Sequence, residues 1–486
     1  MQVCMADLIV ESGVGFGTSG ARGLVVKMTD KVCYAYTKAF LGYCEASFDC
    51  EHTLAIAGDL RPSTGRILGA VGKAATDAGW QLVYAGRIPS PAIALYGLSR
   101  RLPTVMVTGS HIPDDRNGIK FNHHLGEITK ADERGIVSQV FDLDPNLFNE
   151  TGALKEGSFE LPAVDFKAEE AYFGRYVDFF GSGALAGLKV GVYEHSAVGR
   201  GILVQVLDAL GASVVPLARS EKFIPVDTEA IRAEDIALAK LWAAQGFDAI
   251  ASTDGDSDRP LLASEKGEWL RGDVLGILTA KALGISRIAT PVSCNTALEK
   301  CGAFEKVRRT KIGSPYVIEG MEALAEAGKT VAGYEANGGF LLESDLELGG
   351  KKLRALPTRD ALLPILGVLR QVKVTGRKIS ELLAELPQRY SASGRLKEFP
   401  TDLSRKKLEE IRAGNLGEEL FGKFSGKLEG VDETDGYRMT FSSGEIIHLR
   451  PSGNAPEFRC YVETAFPERS AELLESCLRI MEFWRA

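Results

Sequence analysis

The sequence predicts an α/β protein of three successive related α/β domains followed by a C-terminal α+β domain. Its 486 residues exceed what one hydrophobic core serves, and ordinary domain sizes lead to roughly three to four domains. A plan of short apolar strand, polar glycine-containing loop, helix and second apolar strand recurs in three places. Beyond residue 383 that plan stops, and strands and helices follow in another order.

The first copy, LAIAGDLRPSTGRILGAVGKAATDAGWQLVYAG, runs from Leu54 to Gly86, and the second, LKVGVYEHSAVGRGILVQVLDALGASVVPLA, from Leu188 to Ala218. Both place TGR or VGR at the helix entrance and DAG or ALG ahead of the next strand. A third, looser copy, SRIATPVSCNTALEKCGAFEKVRRT, covers Ser286 to Thr310. A helix that joins two strands of one sheet makes them parallel, with a right-handed crossover, so each copy reads as a βαβ unit in its own layer. Similarity at this spacing points to an internally triplicated architecture. The C-terminal segment holds LSRKKLEEIRAG, the strand candidates DGYRMTF and EIIHLR, and a closing helix from about Glu468. Leu474, Cys477, Leu478 and Met481 form that helix's expected buried stripe. Domain limits are placed at polar connections, giving 1–165, 166–270, 271–383 and 384–486.

Hydrophobic residues at 45% and charged residues at 25% match the soluble globular average, which excludes disordered, collagen-like and coiled-coil classes. A net charge of −8 argues against general nucleic-acid binding, which needs a basic face, so any anion site must be local. The opening MQVCMADLIVESG has acidic residues and no positively charged leader. Apolar runs such as Ala361 to Leu369 fall short of the ~20 residues that cross a bilayer. A cytoplasmic protein without nucleic-acid or membrane partners is expected. The cysteines are scattered with no C-x-x-C pair, so reduced thiols are expected in place of a disulfide framework or structural zinc.

Ser110, in TGSHIP, follows the apolar run Val105 to Val107 and precedes His111, where a strand ends and a loop opens. That position suits a nucleophile. A hydrolase elbow would read G-x-S-x-G, but Thr108 and Ile112 occupy the outer positions, so that reading fails. A serine bonding its own loop backbone is the alternative. Downstream, NGIK offers Lys120 as a base, with Gly118 expected to form a turn that returns the lysine toward Ser110. A solvated lysine is the alternative.

DGDSDR places Asp254, Asp256 and Asp258 at alternate positions after the buried strand candidate FDAIAST. Three hard anionic oxygens at the C-terminal end of a strand suit Mg²⁺. Glu265 stands where an EF-hand has its twelfth ligand, but Arg259 replaces the required glycine and a strand enters the loop. An aspartyl phosphatase also has D-x-D after a strand, yet leaves Ser110 and the third aspartate unexplained. Near the end, RPSGNAPEFR groups Arg450, Ser452, Gly453, Asn454 and Arg459, whose guanidinium, hydroxyl and backbone N–H groups match phosphate oxygens. An ordinary basic hairpin is the alternative. FGTSGARG offers Arg22 in a similar glycine setting, and GYEANGG offers Glu335 and Asn337, groups suited to sugar hydroxyls.

Together and in this order, FGTSGARG, TGSHIP, DGDSDR, GYEANGG and RPSGNAPEFR resemble the five motif stretches of the α-D-phosphohexomutase superfamily, particularly phosphomannomutases and bacterial phosphoglucomutases. The resemblance spans nearly the whole chain. It implies mixed sheets and four domains around a central cleft. It makes Ser110 the phosphoryl carrier and, with Asp254, Asp256 and Asp258, a ligand of Mg²⁺. It makes His111 and Lys120 proton-transfer groups, with Arg22 and Arg259 steadying charge on the transferring phosphoryl. Glu335 and Asn337, with Gly313 and Ser314 of TKIGSPY, would recognise sugar, while Arg450, Ser452, Gly453 and Asn454 would clamp the non-reacting phosphate.

The implied activity is interconversion of hexose 1- and 6-phosphates, of mannose and/or glucose, through a phosphoserine and a bound hexose 1,6-bisphosphate. A phosphoglucosamine mutase, a phosphopentomutase and a non-catalytic phosphosugar-binding protein are the alternatives. The chain departs from the common pattern at Asn337, where serine is usual, at Tyr334 before the glutamate, at Asn454 for threonine and at Ile112 for asparagine. An amide can replace a hydroxyl in hydrogen bonding. A mobile fourth domain closing over the cleft is expected, since water would hydrolyse the phosphoserine.

Overall fold

The computed structural model describes residues 2–485 apart from 18, 19, 156, 158, 415 and 453–455. Each of the three repeats builds one sheet on the same plan. In the first, the strand Thr53–Gly58 lies between Gln81–Tyr84 and Thr104–Val107, both parallel to it, and Arg116–His123 turns back antiparallel. In the second, Lys189–His195 lies between the parallel strands Ser213–Arg219 and Ala249–Thr253, and Pro260–Ala263 returns antiparallel. The third repeats this with Arg287–Pro291, Lys306–Thr310, Val331–Tyr334 and the returning Phe340–Leu342. The sheets are therefore mixed. The looseness of the third copy shows in its crossover, where the helix shrinks to Ala297–Lys300.

The alternation of side chains along a strand explains how these sheets pack. Leu54 and Ile56 face the core beneath the helices Asp30–Ser47 and Thr64–Asp77, whereas Ala55 and Ala57 face the opposite way. Those alanines join a single apolar core that continues through Tyr172 and Tyr176 of the helix Lys167–Phe180, Val190 and Val192 of the second sheet, and Ile288 and Phe340 of the third. The first three domains are thus fused through one continuous interior.

The C-terminal domain is a five-stranded antiparallel sheet in the order Tyr390–Lys397, Glu457–Thr464, Ile446–Pro451, Tyr437–Phe441, Leu428–Asp432. It carries the helices Thr401–Ala413, Leu416–Ser425 and Pro467–Phe483 and has its own core, from Phe399 to Met481. The expected stripe of the last helix is turned slightly. Leu473, Cys477 and Met481 are buried, while Leu474 and Leu478 are only partly so, because the helix packs across the strands through the first set. Polar contacts join this domain to the third: Glu463 accepts from the Thr296 backbone N–H at 3.0 Å, and Asn295 Nδ2 donates to the Arg389 carbonyl at 2.9 Å. Among the described residues, no helix is long and apolar enough to cross a membrane.

Candidate active site

The turn from third to fourth strand occupies the same topological place in all three repeats, and each such turn carries one of the motifs. Ser110 lies between Val107 and Arg116, the aspartates between Thr253 and Pro260, and Glu335 with Asn337 between Tyr334 and Phe340. The repeated fold therefore delivers three chemically different loops to one region.

Ser110 is buried with φ +54°, a left-handed conformation that a non-glycine residue holds only when its surroundings fix it. Its N–H donates to Thr108 Oγ1 at 2.8 Å. Its hydroxyl donates to Asp254 Oδ2 at 2.6 Å, which joins the first domain's loop to the second's. Gly255 permits this approach, because a Cβ there would stand 2.5 Å from the Ser110 carbonyl oxygen. His111 Nδ1 lies 3.2 Å from Ser110 Oγ and 2.8 Å from Arg259 Nη1. Burial, then the charges of Arg259 and Arg22, push this imidazole well below its ordinary range, so it is neutral near pH 7.

The aspartate loop closes on itself. Asp254 Oδ1 accepts from the backbone N–H groups of Asp258 and Arg259, each at 3.2 Å. Ser257 Oγ accepts from Gly199 N at 2.9 Å, so the VGR segment of the second repeat braces the loop. Ligand oxygens of Asp254, Asp256 and Asp258 lie within 4.8 Å of one another. Burial and the two neighbouring carboxylates raise Asp254 well above the usual range. Asp256 also feels burial, but Lys120 outweighs it and holds the group low, aided by the Ser90 hydroxyl at 2.6 Å. Oδ1 of Asp256 and Oδ1 of Asp258 are buried without a hydrogen-bond partner. Converging hard oxygens, two of them unsatisfied, fit a divalent cation.

Lys120 reaches this place differently from the expected route. Residues 117–120 form no turn: they lie in the strand Arg116–His123, where Lys120 pairs with Met106 on one side and Gly20 on the other. Gly118 serves close packing, since a Cβ there would meet the Ala21 carbonyl oxygen at 2.7 Å and that of Thr108 at 2.9 Å. Lys120 Nζ donates to Asp256 Oδ2 at 2.5 Å and Asp258 Oδ2 at 2.6 Å. Burial alone would lower this ammonium, yet the two aspartates outweigh it and keep it charged. Arg22, on the strand Gly20–Leu24, is pushed down to about 10 by burial and by the neighbouring charges of Arg259 and Arg359.

Glu335 and Asn337 are buried beside this cluster. Asn337 Oδ1 accepts from Gly339 N at 2.9 Å, so the amide oxygen shapes the loop. Gly272 makes room for that loop: a Cβ there would stand 2.1 Å from Gly338 N. Gly272→Ala should destabilise the protein by about 1–3 kcal/mol, as overpacking does, and thermal denaturation would read it. Gly313 has φ +131° and opens the helix Ser314–Glu322, where the Ser314 hydroxyl is buried without a partner. Arg450 Nε donates to Asp435 Oδ2 at 2.8 Å, and that oxygen also accepts from Ile312 N at 2.9 Å. Arg459 pairs across the strands with Arg450 and donates to Glu457 at 3.2 Å. Ser452 is buried, and Gly453 and Asn454 lie outside the described residues. The structure thus brings together the loops of Ser110, of Asp254, Asp256 and Asp258, and of Glu335, and carries Arg450 and Arg459 on a separate sheet.

Several residues of the site escaped the sequence reading. Arg61, 2% exposed, donates to the carbonyls of Ser110, Ile112, Pro113 and Arg116 and to Asp59, and lies 4.1 Å over the Phe223 ring. Asp59 in turn accepts from Thr64 and Thr108. Ser90 donates to Asp256 and Arg359 to Asp258 in the aspartate loop.

A hydroxyl among carboxylates suited to a cation, ringed by lysine and arginine, has the parts of a phosphoryl-transfer centre. Three family models match in sequence: phosphoglucomutase/phosphomannomutase α/β/α domain I over residues 13–146, domain II over 172–267 and domain III over 271–390. The chain belongs to the phosphoglucomutase/phosphomannomutase family. It is 43% identical to a phosphomannomutase of Salmonella muenchen, over 97% of this chain and 96% of that one. It is 42% identical to a phosphomannomutase of Sinorhizobium fredii, over 96% and 99%. A phosphoglucomutase/phosphomannomutase family protein from Burkholderia thailandensis has the same fold, with TM-score 0.72 at 20% identity over 96% of each chain.

Proposed function

We propose that the protein is a phosphohexomutase, an isomerase that interconverts the 1- and 6-phosphates of mannose and/or glucose through a phosphoserine and a bound hexose 1,6-bisphosphate. The observation that carries this reading is the Ser110 hydroxyl held 2.6 Å from Asp254 inside the carboxylate triad. Likeness to phosphomannomutases favours mannose.

A sugar hydroxyl oxygen attacks the phosphorus of phosphorylated Ser110. The new P–O bond forms as the bond to Ser110 Oγ breaks, and the hydroxyl proton ends on Oγ, relayed by Lys120 or His111. Because the substrate already carries one phosphate, the product is a bisphosphate. It reorients, and Ser110 Oγ takes the other phosphoryl while the proton returns to the sugar oxygen. Arg22 and Arg259 stabilise charge on the transferring group. Mg²⁺, when held by Asp254, Asp256, Asp258 and the serine phosphate, supplies further charge neutralisation. Glu335 and Asn337, with Gly313 and Ser314, receive the sugar. Residues 1–165, 166–270 and 271–383 thereby form one reaction centre, and residues 384–486 close on it, with Arg450, Ser452, Gly453, Asn454 and Arg459 holding the non-reacting phosphate. The separate core of that last domain and its polar joint support such a movement. Eight free cysteines accord with a reducing cytoplasmic setting.

The test is conversion of mannose 1-phosphate and glucose 1-phosphate to their 6-phosphates with Mg²⁺ and a trace of hexose 1,6-bisphosphate. Conversion of at least one is expected, and a chelator should abolish it. Without substrate, Mg²⁺ at about 100 times its Kd should stabilise the folded state by about 2.7 kcal/mol, seen as a raised melting temperature that Asp256→Asn loses. Release of inorganic phosphate without isomerised product would count instead for a phosphatase.

A further inference from the structure

The strand Leu356–Asp360 completes the third sheet beside Phe340–Leu342, and the pairing is irregular between its two matched positions. Such irregularities re-aim side chains. Its last two residues serve different neighbours. Asp360 accepts hydrogen bonds from the hydroxyls of Tyr172 and Tyr176, which anchor the strand end to the helix Lys167–Phe180. Arg359, 5% exposed, turns into the reaction centre.

There the guanidinium meets one carboxylate from each of three domains. Nε donates to Asp258 Oδ2 at 3.1 Å, Nη1 lies 3.6 Å from Glu335 Oε2 and Nη2 lies 3.7 Å from Glu127 Oε1. Gly339 leaves the passage for the side chain, because a Cβ there would stand 2.7 Å from Arg359 Cγ and Cδ. Glu335 Oε2 is buried and has no hydrogen bond of its own, and the Arg359 guanidinium is its ion-pair partner at 3.6 Å. A guanidinium is a rigid planar fork, and a displacement at one prong is felt at the others.

We propose that Arg359 is a positioning residue that ties the sugar loop to the carboxylate triad, so that the placement of Glu335 and that of Asp258 are set together. This rests on the mutase reading, in which Glu335 receives a sugar hydroxyl and Asp258 belongs to the phosphoryl-transfer centre. Engagement of the sugar at one end of the fork then fixes the geometry for transfer at the other. A lysine could supply the charge but not the fork.

The test is a double-mutant cycle of Arg359→Met and Glu335→Gln, read as kcat and KM for mannose 1-phosphate or glucose 1-phosphate, whichever the wild type converts. Arg359→Met should lower kcat/KM on the order of 10²-fold, as loss of one partner of a buried charge pair does. The double variant should lose little more than the worse single variant, since the two act through one contact. Arg359→Lys should recover part of kcat/KM at a near-normal melting temperature, and it replaces Arg359→Met in the cycle should the methionine variant not fold. Fold-losses that simply multiply, or an Arg359 variant with wild-type kcat and KM, would overturn the role while the mutase reading stands. Absence of conversion by the wild type would overturn both.

Discussion

Ser110→Ala should lower mutase turnover by at least about 10⁴-fold while the protein remains folded. The serine is the only group in the proposed cycle that carries the phosphoryl covalently, so positioning and charge stabilisation have nothing left to act on. The structural cost is confined to one hydroxyl: Asp254 loses the donor at 2.6 Å, and alanine must keep the left-handed conformation at φ +54°. The scaffold of that loop lies in other side chains and survives the change. Turnover, intact mass and thermal denaturation of both proteins form the measurement. A variant that still isomerises sugar phosphates, or that keeps a phosphoryl mass shift shown by the wild type, would remove Ser110 as the carrier.

The second large effect is expected at Arg61. One guanidinium holds four carbonyl oxygens of the serine loop, with Nη2 to the Ser110 oxygen at 2.7 Å and Nη1 to those of Pro113 and Arg116 at 2.7 and 3.0 Å. It also neutralises the fully buried Asp59 at 3.1 Å. Arg61→Met leaves that carboxylate unpaired in the interior and should destabilise the fold by about 3–5 kcal/mol. Arg61→Lys is the sharper probe. It keeps the charge beside Asp59 but lacks the planar fork that spans the loop, so kcat should fall far more than melting temperature. An Arg61→Lys enzyme with wild-type kcat would show that the loop does not depend on this clamp.

Much of the site lies in compact motifs, which is why it could be read from the sequence. Ser110 with His111, and the three aspartates, each occupy one short loop at the end of an apolar strand, and both the residues and their setting are visible in one dimension. The strands Ala249–Thr253, Tyr437–Phe441 and Ile446–Pro451 were foreseen for the same reason. Arg61, Ser90 and Arg359 were not, because each acts on a partner far along the chain. A charged residue just after a buried strand, as in GDLRPS, or just before an apolar helix, as in TRDALLP, was the one signal for the two arginines. Lys120 shows the opposite error. Glycine suggested a turn, yet Gly118 is needed because two backbones crowd it from either side. Nor does spacing alone reveal that the three motif loops are equivalent turns, which becomes plain only once strand order is known.

The continuous interior of the first three domains bears on mechanical tolerance. Phosphoryl transfer asks loops from three separate sheets to hold register within a fraction of an ångström, and every hinge between parts would add its own play. With helix Lys167–Phe180 and the sheets around it packed into one solid, the errors of the three loops do not accumulate. In the proposed cycle, play belongs at the polar joint between the third and fourth domains, where a sugar must be admitted and released.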